Sequence, residues 1–135
     1  VQTCALPICV IQTTLKYLEK NRKSFIKKYN IEAYRKAKAN RFEGKQYVAS
    51  DLTDGFKRFQ SEFFVPQEMI DMLLDKAKEA KIQYTDSMLQ ATMPSLRIQL
   101  KALLARDLWD MNEYFQIINP SLEIYRQGMK AIKEE

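Results

Sequence analysis

The sequence predicts an all-α fold, an irregular bundle of about five to six helices around a central helix at about 95–118. Three observations lead there. Three glycines and four prolines in 135 residues are too few for a fold of many short strands. Leu, Lys, Ala, Glu, Gln and Met, all good helix formers, fill most of the chain. Period-two apolar alternation nowhere persists long enough to argue a sheet. With 46% hydrophobic and 29% charged residues, the chain suits one domain with a real core and is unlike a disordered segment.

The elements follow in order. VQTCALPI, residues 1–8, resembles a translated sequencing adapter, so residues 1–9 are expected to be non-native or disordered and 10–135 to form the single helical domain. The run CALPICVI at 4–11, interrupted by Pro7, is far shorter than the roughly 20 residues a membrane span needs. Residues 10–39 read as helix, with Leu15, Leu18, Phe25 and Tyr29 at helical spacing. Asn30 suits a cap before a second piece, Ile31 to Ala39. The segment 40–51, containing Gly44, is the most loop-like. Ser50 can cap a helix from about Asp51 to Phe63, despite Gly55. Pro66 fits the first position of the next helix, with Glu68 in its first turn. There Met69, Leu73 and Ala77 make one stripe, with Ile70, Leu74 and Ala80 beside it.

Thr85 or Asp86 caps the long stretch from Ser87 to about Ile118, which Pro94 either kinks or divides. Its first stripe is Leu96, Leu100, Leu103, Leu104, Leu108, Met111, Phe115 and Ile118; its second is Ile98, Ala102, Ala105 and Trp109. Two stripes leave a narrow polar strip, so this helix is expected to be buried on most sides. Burial of Leu108, Trp109, Met111 and Phe115 would contribute roughly 1.5–3 kcal/mol each before entropy is subtracted. Leu104, Leu108, Trp109, Met111, Tyr114 and Phe115 are the expected packing or interface residues. Asn119-Pro120 reads as a stop and restart, with a last helix reaching about Ile132.

Catalytic readings are weak. The chain has no histidine, which excludes Ser-His-Asp and Cys-His arrangements and any His-built metal site. Cys4 and Cys9 are spaced as neither a zinc site nor a disulfide framework and read as small apolar residues. Ser24 and Lys27 match S-x-x-K without the K-T-G and S-D-N companions, as expected by chance in a lysine-rich helix. Gly44-Lys45 lacks the upstream glycine of a phosphate loop. Asp107, Asp110 and Glu113, three apart, could share a helix edge, with Arg106 at i+4 from Asp110 as a local partner; a solvated or ion-paired edge is the expectation. No catalytic residue, cofactor or metal ligand is predicted.

Charge is uneven. Residues 1–49 hold eleven Lys/Arg against three Asp/Glu, a balance of +8; residues 50–135 hold eleven against fourteen, or −3. Lys16, Lys20, Lys23, Lys27 and Lys28, interleaved with Tyr17, Phe25, Tyr29 and Tyr34, could meet phosphates and stack bases on nucleic acid, or bind another anionic surface. Lysines around apolar side chains are equally the mark of an ordinary amphipathic surface helix, and arginine is scarce, so nucleic acid is the less favoured partner.

Three segments carry a family resemblance: LKYLEKNRKSFIKKY at 15–29, FKRFQSEFFVPQEMIDMLLDKAKEAKI at 56–82, and above all IQLKALLARDLWDMNEYFQIIN at 98–119. From about Thr13 to Ile132 the chain resembles the C-terminal helical region of carboxy-terminal-processing (tail-specific) serine proteases of Bacteroidetes type. Residues 30–55 match least. The resemblance implies a parent endopeptidase of the periplasm or cell envelope, with a PDZ domain and a Ser/Lys catalytic pair. Neither appears in these residues, so no catalytic position carries over. What it implies for this chain is an accessory helical domain that packs on the parent's protease core or mediates self-association as a homo-oligomer.

Overall fold

The structure, a computed structural model, describes residues 2–120, with side chains from residue 5. All regular elements among the described residues are helical: α1 Gln2–Lys28, α2 Ile31–Phe42, a 3-10 helix Ala49–Leu52, α3 Asp54–Glu62, α4 Gln67–Glu79 and α5 Asp86–Leu108. A further helix, α6, begins at residue 111 and continues through residue 120. The all-α expectation therefore holds, with α1 and α5 sharing the centre.

Helix α1 starts earlier than expected, taking in residues 2–9, and Cys9 lies in the core. Its buried residues follow two adjacent rows of every fourth position, Cys9, Thr13, Tyr17 and Phe25 leading on to Tyr29, and beside them Val10, Thr14 and Leu18. Thr13 and Thr14 satisfy their buried hydroxyls by donating to the carbonyls of Cys9 (2.7 Å) and Val10 (2.9 Å). Leu15, placed on this stripe by spacing, faces outward instead. The row advances about 40° with each step of four, so the buried line winds around the axis and passes Leu15 by.

Asn30 joins α1 to α2 by a different means than a side-chain cap. It adopts the left-handed conformation (φ 50°, ψ 46°) and its side chain makes no capping bond. Asn tolerates that region, and the turn lets Ile31 and Tyr34 enter the core. The expected Ser50 cap is likewise replaced by the 3-10 helix, and α3 begins at Asp54. Gly55 is required there: a Cβ on it would stand 2.1 Å from the Tyr29 carbonyl oxygen, so α3 crosses the end of α1 at backbone contact. Pro66 is the N-cap of α4 rather than its first residue, and Glu68 occupies the first turn. Met69, Ile70, Leu73 and Ala77 are buried, Leu74 is half-buried and Ala80 is exposed.

Thr85 caps α5, its hydroxyl accepting from the Met88 amide at 3.1 Å. The helix passes through Pro94 unbroken and buries Leu96, Leu100, Ala102, Leu103, Leu104, Ala105 and Leu108. It then ends ten residues before the expected boundary at Ile118. Asn119 and Pro120, read as a break, lie within the helical stretch instead. The expected helix to about Ile132 falls outside the described residues.

Candidate functional site

The break between α5 and α6 centres on Trp109, whose backbone (φ −116°, ψ −98°) leaves the helical region. Its amide still donates to the Ala105 carbonyl at 2.8 Å, closing the last turn. The indole packs among Tyr29, Phe56 and Phe59, with ring centroids 6.0, 5.4 and 5.2 Å away and edge-on or tilted geometry throughout. Asp110 then starts α6. Its carboxylate accepts from the Met111 amide at 2.8 Å and its carbonyl from the Tyr114 amide at 3.2 Å. The Asp-x-x-Glu pattern of Asp110 and Glu113 is a helix-start signal in the sequence, overridden there by the continuous apolar spacing.

This break separates the expected packing residues. Leu104, Leu108 and Trp109 are in the core. Tyr114 is half-buried, packing edge-on against Phe115 at 5.4 Å. Met111 and Phe115, expected to be buried, are 41% and 45% exposed. The restart at Asp110 shifts the helical phase, so their stripe no longer continues that of Leu104 and Leu108.

The acidic trio divides: Asp107 and Asp110 are ion-paired, one of the two forms expected, and Glu113 is buried instead. Asp110 is exposed and bonds across the chain to Lys38 of α2; Arg106 pairs with Asp107 at 3.4 Å and not with Asp110. Glu113 is 7% exposed, and its Oε2 is buried without a hydrogen-bond partner, as is Asp107 Oδ2. Burial pushes the Glu113 carboxyl above its ordinary range, and the nearby Asp110 charge adds to that. The Lys38 bond holds Asp110 below its usual value, and the same bond raises Lys38. Burial foremost, then the nearby Glu113, raises the Tyr34 hydroxyl. No local spacing announces Lys38, 72 positions from its partner.

Beside this junction lies a groove of about 660 Å³, lined by Tyr34, Arg35, Lys38, Arg41, Phe42 and Trp109 among others. It is basic along the α2 wall and apolar on its floor. Such a surface can bind; it carries no paired nucleophile and base. Ser24 and Lys27 of the S-x-x-K match are both exposed on α1. Among the described residues no group of three His, Cys, Asp or Glu could hold a metal ion, and no helix is long and apolar enough to cross a membrane.

Lys16, Lys20, Lys23, Lys27 and Lys28 are all exposed, and Lys20 reaches Glu68 at the start of α4. Their interleaved aromatics are not available beside them. Tyr17, Phe25, Tyr29 and Tyr34 are buried in the core, which removes the stacking part of the nucleic-acid expectation.

A family of unknown function, DUF8443, matches residues 46–110, from the loop after α2 through α5 to the break at Asp110. No curated protein and no solved structure matches the chain.

Proposed function

We propose that this chain is a helical accessory domain that acts by packing against a protein surface, and that the surface belongs to the catalytic core of a tail-specific serine protease. One observation supports a docking role: Phe64 and Phe115, 79% and 45% exposed, border two adjacent depressions that share Gln60, Gln116 and Pro120. Large apolar side chains gathered in this way mark interaction surfaces. The choice of partner rests on the resemblance at 15–29, 56–82 and 98–119, which also suggests the periplasm or envelope as its location. In this reading the domain supplies no catalytic residue, and self-association through the same face is the variant form of docking.

Long-read sequencing across the upstream DNA tests it. The expected result is a frame that continues into a PDZ domain and a Ser/Lys protease core. A start codon near Val10, with no protease upstream, would overturn the assignment of partner. Robust peptide cleavage by the pure chain would overturn the non-catalytic role.

A further inference from the structure

Independently of that reading, the outward face of α1 has its own organisation. The core row runs through Cys9, Thr13, Tyr17, Phe25 and Tyr29. Two residues further on is about 200° around the helix, so the row Ile11, Leu15, Glu19, Lys23 and Lys27 stands directly opposite the core. The neighbouring row adds Ile8, Lys16 and Lys28; its Lys20 is paired with Glu68 of α4 and lies at the edge of the crest. The crest is thus divided along its length. Ile11 and Leu15, spaced by four, are 41% and 50% exposed at the N-terminal end, and Ile8, 54% exposed in the adapter-like stretch 1–8, extends their line. The exposed lysines occupy the C-terminal end, with Glu19 the one acid between. A single exposed aliphatic is ordinary, but three in line opposite a helix's own core form a patch.

We propose that this crest is an adhesion surface for anionic lipid headgroups, the aliphatic end entering the acyl boundary and the lysine end meeting the phosphates. Charge complementarity selects an anionic partner, since the crest itself presents exposed Lys16, Lys23, Lys27 and Lys28 against the single acid Glu19. The aliphatic end favours lipid over nucleic acid. Every aromatic ring of α1 is turned into the core, leaving nothing on which bases could stack, whereas branched aliphatics are what an interfacial helix inserts. Lysine stems are long enough to keep their ammonium groups among the headgroups while the helix lies lower. The exposed acids of α4, Glu68, Asp71 and Asp75, repel the same surface and so confine contact to the side of α1 away from α4.

The test is co-sedimentation of the full chain with phosphatidylcholine vesicles, with and without phosphatidylglycerol, at low and high salt. Binding is expected only with phosphatidylglycerol and is expected to weaken at least tenfold in high salt, because exposed charges are screened. Two variants dissect it: Lys16→Glu with Lys23→Glu and Lys27→Glu, and Ile8→Ser with Ile11→Ser and Leu15→Ser. Each is expected to lose at least tenfold in binding while keeping the wild-type circular-dichroism melt, because every altered side chain is exposed. Failure of the wild-type chain to bind either vesicle overturns the proposal. Undiminished binding by the aliphatic variant overturns insertion, and tighter binding to single-stranded DNA or polyglutamate than to the vesicles overturns lipid as the partner.

Discussion

Residues 100–109 and 111–118 are consecutive stretches of similar apolar character, the first ending in the bend at Trp109 and the second restarting as helix after Asp110, and they lie in opposite surroundings. The first buries Leu100, Leu103, Leu104, Leu108 and Trp109; the second leaves Met111 and Phe115 to solvent and buries Glu113 in their place. Apolar spacing specifies a helix and a phase, and a phase survives only as long as the axis does. Trp109 ends the axis by turning into the Tyr29–Phe56–Phe59 cluster, and the residues beyond start again from Asp110 with a different face inward.

Truncating one aromatic on each side of Asp110 separates the two surroundings most strongly. Trp109→Ala removes a ring packed against three other aromatic rings and should cost about 3–5 kcal/mol. Phe115→Ala, on the exposed side, should stay within about 0.5 kcal/mol of wild type. Urea denaturation of the two variants reads both, and comparable losses would mean that α6 is packed as deeply as α5.

A second test moves to the contact that the Trp109 cluster needs, where α3 crosses α1. In an ordinary helix interior Gly→Ala stabilises by roughly 0.5–1 kcal/mol. At Gly55 the added carbon would stand 2.1 Å from the Tyr29 carbonyl oxygen, a backbone atom that cannot swing aside. Gly55→Ala should therefore destabilise by about 1–3 kcal/mol, as overpacking does. The sign alone decides, since any gain in melting temperature would show that the two backbones are not in contact.

The fold was largely legible because its signals are local. Scarce glycine, helix formers throughout, the Pro66 and Thr85 starts, and the Met69–Leu73–Ala77 stripe all act within one or two turns. What stayed hidden depends on distant partners. Spacing marks Leu15 as core, yet the buried line winds around the axis of α1 as it meets α4 and α5 and leaves Leu15 outward. Gly55 looked like a weak point in a helix, and only the approach of Tyr29 from an element 26 positions earlier gives it a purpose. The Asp110–Glu113 start signal was present but outweighed by apolar spacing on both sides of it. The acidic trio could not be sorted from sequence, because Lys38 claims Asp110 across 72 positions and leaves Glu113 inside.

Glu113 provides the smallest and most specific test of the contrast between the two stretches. Burial raises its folded-state pKa above the ordinary 4.5, so the folded chain binds this proton more tightly than the unfolded chain does. Between 4.5 and the raised folded value, stability therefore falls as pH rises, and above that window the buried carboxylate remains a constant cost. Asp110 acts with the opposite sign and in a separate window. Its pKa is held below the ordinary 3.8 by Lys38 and by the Met111 amide, so its contribution is lost only as pH falls through that lower value. Glu113→Gln keeps the volume and abolishes the titration. It should flatten the decline above pH 4.5, leave the acid limb intact, and raise stability at neutral pH by about 1 kcal/mol, the scale of an unpaired buried polar group relieved of its charge. Melting temperature measured against pH for the two proteins checks all three. A glutamine variant that is less stable at neutral pH would mean that the carboxylate is held by a positive partner, and that Glu113 shares in the ion pairing of Asp110 with Lys38.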